Sequence, residues 1–179
     1  MAESGTKVLA AKDTTAKLVG RHKRVAFMNT GTAESPVYTR MTGFTDLGES
    51  KDASEYNRQY VDEATERADV VGYATSVDYQ FDRYTNTAVH DKLAQIADDE
   101  ITGTDAQVDI VVVDLFESGD TANTCSARKR TWSVIPDASG DSTDALTYSG
   151  SFKAAGDVVK GTATCADGKW QTCTFTEVD

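Results

Sequence analysis

Residues 69–82 read Asp-Val-Val-Gly-Tyr-Ala-Thr-Ser-Val-Asp-Tyr-Gln-Phe-Asp, and their second half alternates without a break. Val77, Tyr79 and Phe81 fall on one side, and Asp78, Gln80 and Asp82 on the other. A period of two with one apolar and one polar set is what a strand with one dry and one wet face requires. Leu146, Tyr148, Gly150 and Phe152 repeat the pattern against Thr147, Ser149, Ser151 and Lys153. Ile110-Val111-Val112-Val113 is instead apolar on both sides, which predicts a strand at the centre of a sandwich. Further strand signals cover 23–29, 37–44, 55–61, 127–135, 158–165 and 170–178. The fold class that follows is mainly β, with one α-helix.

That helix lies between Asn86 and Glu100, where Val89, Leu93, Ile96 and Ala97 recur at i, i+4, i+7 and i+8 and form a single apolar stripe. Asn86 or Thr87 is placed to cap it and Gly103 to end it. One amphipathic helix among nine strands must cover a sheet face. Asp167-Gly168, between two β-like runs, is a hairpin signal, and Gly156-Asp157 reads as a second tight reversal. Residues 1–24 are small, polar and charged at their start and read as an N-terminal arm. Residues 25–179 then form a single domain carrying helix 86–100 and a polar insert at 45–54, Thr-Asp-Leu-Gly-Glu-Ser-Lys-Asp-Ala-Ser, longer than a usual hairpin loop.

At 179 residues the chain can bury a full core without covalent staples. Its net charge of −11 opposes phosphate, so it is not expected to clamp nucleic acid. No run approaches the ~18 apolar residues of a membrane span, and the start lacks the apolar core of a secretory signal, so synthesis in the cytoplasm and no membrane partner are expected. Cys125, Cys165 and Cys173 are read as unpaired, packed thiols. With His22 and His90 they show no C-x-x-C or H-x-x-x-H spacing, so no metal and no cofactor is expected.

Catalytic signatures are not evident: G-x-S-x-G, the phosphate-cradling glycine loops and H-E-x-x-H are missing from the sequence, and the chain is not expected to be an enzyme. His22, in the basic run Arg21-His22-Lys23-Arg24, and His90, beside Asp91, are read as solvated or capping residues. Asp98-Asp99-Glu100 reads as a solvated acidic cluster opposing the helix dipole. Arg128-Lys129-Arg130 is expected to pair with acidic neighbours, because a strand would split the three cations between two faces.

The run Glu55-Tyr56-Asn57-Arg58-Gln59-Tyr60-Val61-Asp62-Glu63, the segments Asp69-Val70-Val71-Gly72-Tyr73 and Tyr79-Gln80-Phe81-Asp82, and the closing stretch 148–164 together resemble the major tail protein of siphophages of Gram-positive hosts. The likeness extends from about Arg24 to Glu177. It implies a β-sandwich or half-barrel flanked by a helix, assembling into hexameric rings whose strands join in one inner β-barrel. The rings stack into a tube in the virion tail, with the long loop and the termini touching the next ring and DNA passing only as cargo. It also implies a tape measure protein, a tail terminator and baseplate or distal tail proteins as partners, and it provides no catalytic residue.

Six subunits of four strands at ~4.8 Å spacing give a barrel at least ~115 Å around and ~37 Å across, wide enough for a duplex of ~20 Å. By alternation Thr39, Asn57, Gln59, Asp109, Thr131 and Ser133 are placed toward the bore. Asp46, Glu49, Lys51 and Asp52 of the insert are placed at the ring-to-ring contact. Only Pro36 and Pro136 stand ready to block edge pairing, which favours an oligomer independently. The alternatives are a tube protein of a contractile tail or type VI secretion system, which shares the fold, and an immunoglobulin-like virion or cell-surface binding module. The latter leaves the helix and the insert unexplained.

Overall fold

The computed structural model describes residues 16–140 and 142–178. Nine strands follow in the order β1 (Arg24–Asn29), β2 (Tyr38–Arg40), β3 (Phe44–Arg58), β4 (Arg67–Asp82), β5 (Gln107–Ser118), β6 (Thr124–Ser139), β7 (Thr147–Ala154), β8 (Val159–Thr164) and β9 (Thr172–Glu177). One α-helix, α1 (Ala88–Asp98), interrupts them. All strand pairs are antiparallel, and they join in one sheet of order β3-β4-β7-β6-β5-β1-β2-β9-β8. The mainly β class with one helix is therefore observed.

The sheet also bends back on itself, because β8 pairs with β6. The ring β6-β5-β1-β2-β9-β8 is closed, making a small six-stranded barrel. Its interior holds Val25, Phe27, Tyr38, Val111, Val113, Cys125, Ala127, Ala163 and Cys173. The rest of the sheet, β3-β4-β7-β6, leaves the barrel as an open sheet with α1 on one face. There Val89, Leu93 and Ile96 meet Tyr79, Phe81, Trp132, Val134, Tyr148 and Phe152. Strand β5 serves both cores: Val111 and Val113 point into the barrel, while Val108 and Ile110 point to the helix layer. This is why its sequence is apolar on both sides.

Gly156-Asp157 is not a reversal. Residues 148–154 of β7 pair with Ser139 back to Trp132, and β8 continues in the same direction along Lys129 back to Thr124. The two are one course along β6, broken by a jog at 155–158. Arg130 holds that jog, donating from Nε to the Gly156 carbonyl (2.6 Å) while its guanidinium lies 5.4 Å from the Trp132 ring centre. The Ala155 N–H donates to the Thr131 carbonyl (3.0 Å).

The insert 45–54 is not a loop. It belongs to β3: Thr45 is a bulge residue, and Asp46 to Ser54 are matched residue by residue to Gln80 back through Gly72 of β4. Its polar composition conceals a strand because both faces are wet beyond residue 50, so no apolar set alternates there. The loop of this hairpin is 59–66 instead.

Helix α1 is shorter than predicted. Thr87 is the N-cap residue without a side-chain bond, Asn86 takes φ 58°, and Glu100 with φ 48°, not Gly103, makes the left-handed turn after the helix. Asp98 is held by the Tyr148 hydroxyl, which donates to its carboxylate at 3.0 and 3.2 Å.

His90 is neither solvated nor a cap. It is fully buried between Phe81 and Phe44; its Nε2 lies 2.8 Å from the Thr42 carbonyl, and its Nδ1 accepts the Tyr84 N–H at 3.1 Å. Those two bonds fix the tautomer with the proton on Nε2. Burial lowers the pKa of this imidazole. His22 is exposed, as expected.

Arg128 does pair with an acid, Asp114, whose carboxylate is fully buried and also takes Arg24. The three form a clamp across β1, β5 and β6, with N–O distances of 2.6 and 2.8 Å. Lys129 points to the other face, over the Phe175 ring.

Two predictions follow from this packing. Leu93→Ala, deleting a side chain 1% exposed beneath the sheet, is expected to cost about 2–5 kcal/mol in chemical denaturation; a loss below about 0.5 kcal/mol would place the stripe in solvent. For Asp114, burial pushes the pKa up, but hydrogen bonds and charge from Arg24 and Arg128 outweigh it and hold the carboxyl below its ordinary value. A depressed carboxylate contributes stability above the unfolded pKa of about 3.9 and loses it as pH falls through the folded value. Asp114→Asn is therefore expected to cost about 1.5–3 kcal/mol at pH 7, toward the lower end because both arginines are half exposed, and progressively less as pH falls below the ordinary carboxylate range. Equilibrium unfolding of both proteins across that range reads the difference.

Candidate functional site

Two surfaces stand out, and both belong to the open sheet. The first is its outer edge. Among the described strands β3 pairs only with β4, so along 15 residues no strand covers its other side, although the Leu47 carbonyl accepts from Arg21 Nη2 at 3.3 Å. The opposite end of the sheet has no comparable edge among the described strands, since β8 is paired on both sides. No proline interrupts residues 44–82, while Asp46, Glu49, Lys51, Asp52, Glu55 and Arg58 charge the edge strand and discourage indiscriminate pairing.

Beyond Thr75 and Ser76, the last buried residues of β4, the β3–β4 pair leaves the body as a two-stranded ribbon roughly 25 Å long. A bulge marks it: Ser54 faces Gly72 and Glu55 faces Val70, so Val71 is the extra residue. One face of the ribbon carries Ala53, Ala68, Val70, Val71 and Tyr73 interleaved with Lys51, Glu55 and Asn57, with Val71 67% and Tyr73 61% exposed. At the tip Arg58 lies 4.7 Å from the Tyr56 ring centre and 5.7 Å from that of Tyr60, and Arg67 lies 5.8 Å from Tyr60 while pairing with Glu63.

The apolar face of the ribbon continues into the body. It runs through Val77 and Leu47 into an open groove of about 870 Å³, lined by Phe44, Ile110, Val112, Trp132 and Phe152. Arg21, Arg24 and Arg40 stand around this groove together with Asp46 and Glu49, Arg24 being held by Asp114. The groove is the part of the concave face that α1 does not cover. The ribbon itself, residues 51–74, carries Asp52, Glu55, Asp62, Glu63, Glu66 and Asp69 against Lys51, Arg58 and Arg67. An acidic projection and a groove with three arginines and two carboxylates at its rim therefore occur on the same molecule.

The second surface is the face of the open sheet turned away from α1. Register places Ser50, Ser76, Asp78, Gln80, Ser149, Ser151, Lys153 and Ser133 on it. Ser50 and Ser76 share a hydrogen bond of 2.9 Å across the strands. Four strands, β3, β4, β7 and β6, thus present a face of hydroxyls, carboxylates and amides, with Ile135, 47% exposed, and Tyr56 near the ribbon tip as its large apolar residues among those described.

Of the six residues predicted to share a bore, the structure brings three together. Asp109 and Thr131 face each other across β5 and β6, joined by a 2.5 Å bond from the threonine hydroxyl, and Ser133 lies two residues along on the same side. Thr39 sits opposite Met28, on the helix-layer side, bonded to Thr30. Asn57 and Gln59 lie at the far end of the ribbon. The insert residues are split by alternation: Asp46 and Asp52 fall on the polar face, Glu49 and Lys51 on the other, where they form a 3.3 Å ion pair. The apolar ribbon face was missed; the signal for it was Val70-Val71-Gly72-Tyr73, legible as a strand but not as uncovered. Among the described residues no cluster of three or more His, Cys, Asp or Glu could hold a metal ion.

No family model matches this chain, and no curated protein does. Solved structures do show likeness. A chain of the anti-feeding prophage baseplate aligns over 80% of this chain and 95% of its own at 10% identity and TM-score 0.48. One from the sheath/tube terminator of the extracellular contractile injection system PVC aligns over 81% and 97% at 13% identity and TM-score 0.46. One from the anti-feeding prophage tube-terminating cap aligns over 88% and 99% at 10% identity and TM-score 0.47.

Proposed function

We propose that this chain is a structural, non-catalytic subunit of a bacteriophage tail tube, forming hexameric rings that stack into a hollow tube through which DNA passes. The observation that carries this reading is the bare edge of β3 on a ribbon whose apolar face is open to water. A row of unpaired backbone groups is a template for another strand, and an exposed apolar stripe is stabilised by burial. Satisfying both needs a second chain.

A ring, unlike a two-fold dimer of the same edge turned antiparallel, requires this edge to meet a different surface of the next copy. Such head-to-tail contacts close into rings or run on as filaments. The acidic ribbon and the arginine-rimmed groove supply one complementary pair. Ring closure places the four-stranded polar face inward, with Ser76, Asp78, Gln80, Ser133 and Ser151 lining the bore alongside Asp109 and Thr131. Hydroxyls and carboxylates there give phosphate nothing to bind, so DNA slides. Contacts with a tape measure protein, a terminator and baseplate proteins complete the tail. The sequence resemblance to siphophage major tail proteins supports the same assembly.

Light scattering across a concentration series, with electron microscopy of the product, tests this. The protein is expected to form rings or tubes, and a strict monomer at high concentration, even with tail-initiating components present, would sink the reading. Replacing residues 53–73 by an Asn-Gly turn links Asp52 to its partner Ala74 and removes the exposed ribbon without removing a buried residue. The melting temperature is expected to stay within about 3 °C, because little core is lost, while assembly disappears. Normal assembly by the shortened protein would transfer the role to another surface.

A further inference from the structure

The barrel closes at its weakest seam beside two cysteines. Strands β2 and β9 share only two residue pairs, Tyr38 with Cys173 and Thr39 with Thr172, followed by a bond from the Arg40 N–H to the Gln171 carbonyl (2.9 Å). The next pairing round the barrel, β9 with β8, runs from Gly161 opposite Glu177 to Thr164 opposite Thr174. One step further along the same register, Cys165 stands opposite Cys173.

The phase of that ladder is set on the page. Val178 N–H donates to the Lys160 carbonyl (3.2 Å), so pairs 160/178, 162/176 and 164/174 are hydrogen-bonded, and 161/177, 163/175 and 165/173 are not. Both cysteines confirm it from their outer sides. Cys165 sends its N–H away to the Asn123 carbonyl (3.0 Å), and Cys173 pairs on its far side with Tyr38. A non-hydrogen-bonded antiparallel pair sets Cα atoms about 4.5 Å apart with side chains on one face, inside the roughly 4.4–6.8 Å that a disulfide spans. Both side chains are buried, on the same face as Ala163, and all three thiols of the chain are unpaired.

We propose that Cys165 and Cys173 are a cross-strand pair that hydrogen peroxide oxidises to a disulfide, stapling the β8–β9 hairpin at the seam of the barrel. The site is built around Cys165. Its Sγ accepts the Trp170 N–H at 3.0 Å and donates to Asp167 Oδ1 at 3.0 Å, within a turn whose residues 166–169 are exposed. In the first step the Cys165 sulfur attacks one peroxide oxygen; the O–O bond breaks, Cys165 becomes a sulfenic acid, and its proton leaves with the other oxygen as water. In the second, the Cys173 sulfur attacks the Cys165 sulfur; the S–O bond breaks, the S–S bond forms, and the hydroxyl departs with the Cys173 proton as a second water. Two thiols are oxidised and one peroxide reduced to two waters. The exposed turn 166–169 beside Cys165 gives peroxide its approach and assigns the initial attack to Cys165, and burial, which pushes the Cys173 thiol up to about 12, suits Cys173 to the resolving role. Cys125 lies on the neighbouring strand opposite Ala163 and stays reduced.

The test uses the natural sequence. Folded protein is treated with hydrogen peroxide, unfolded and alkylated, then cleaved with trypsin, which cuts at Lys160 and Lys169 and so separates the two cysteines. The expected result is a thiol titre falling from three to one per chain, with residues 161–169 and 170–179 joined and together lighter by two hydrogen atoms, and restored by dithiothreitol. Cys125→Ser is expected to leave the joined pair in place, while Cys165→Ala and Cys173→Ala each abolish it. Three thiols remaining, a link to Cys125, a link between chains, or sulfinic acid at Cys165 with Cys173 still free would each overturn the assignment.

Discussion

Everything in this molecule hangs on the 16 residues of β6 being shared between two sheets. Its first half closes the barrel through β8 and its second half carries the open sheet through β7, with β5 paired along most of the other side. The exchange happens at Arg130 and Thr131, where the guanidinium bonds the Gly156 carbonyl and the Thr131 carbonyl receives the Ala155 N–H. At that jog the far side of the β7–β8 course passes from β4 to β9, so β7 carries the open sheet and β8 closes the barrel.

Sharing one strand also explains how a chain of this size builds two cores. The barrel core is small-residue rich, with Ala127, Ala163, Cys125 and Cys173 around Phe27. The helix layer holds the large aromatics Phe81, Tyr79, Trp132, Tyr148 and Phe152. Tyr79 lies 4.5 Å from Phe152 and Phe81 stacks on His90 at the same centroid distance, so three strands and the helix meet through rings. Gly150 makes room: a Cβ there would stand 2.6 Å from the Tyr79 hydroxyl and 2.4 Å from the Ile135 carbonyl. A buried imidazole in that stack is tolerated because both of its nitrogens are bonded.

What was legible in the sequence followed from periodicity wherever one face is dry. The alternation of Val77, Tyr79 and Phe81, the doubly apolar Ile110–Val113 and the stripe of α1 each report burial, and the structure places them accordingly. Where both faces are wet the signal vanishes, which is why 45–54 reads as a loop while its backbone is a strand. Local turn chemistry misled at Gly156-Asp157 because a jog between two stretches of one course uses the same residues as a reversal. His90 was misread because burial on a helix depends on the sheet that covers it, here Phe44 and Phe81, more than 5 residues away in sequence on either count. The polar bore face was half legible: Asp109, Thr131 and Ser133 share a side because β5 and β6 are in register, whereas Thr39 belongs to a strand whose register no local pattern reveals.

A two-stranded ribbon is the least self-sufficient element a β-protein can carry, since hairpins alone are marginal in water and gain stability from a third strand or a covered face. Past residue 75 this ribbon has neither. It is held by cross-strand pairing and by the Arg58, Tyr60 and Arg67 cluster at its tip, contacts individually worth about 0.5–1 kcal/mol when exposed. Val70, Val71 and Tyr73 meanwhile remain in water, where burying each would contribute roughly 1.5–3 kcal/mol. The balance of those magnitudes favours a covered ribbon over a bare one, and the polar reverse face ensures that only one side seeks cover. An element with one dry face, one free edge and one wet face specifies the orientation of its neighbour, and repeating that orientation from copy to copy is what a ring requires.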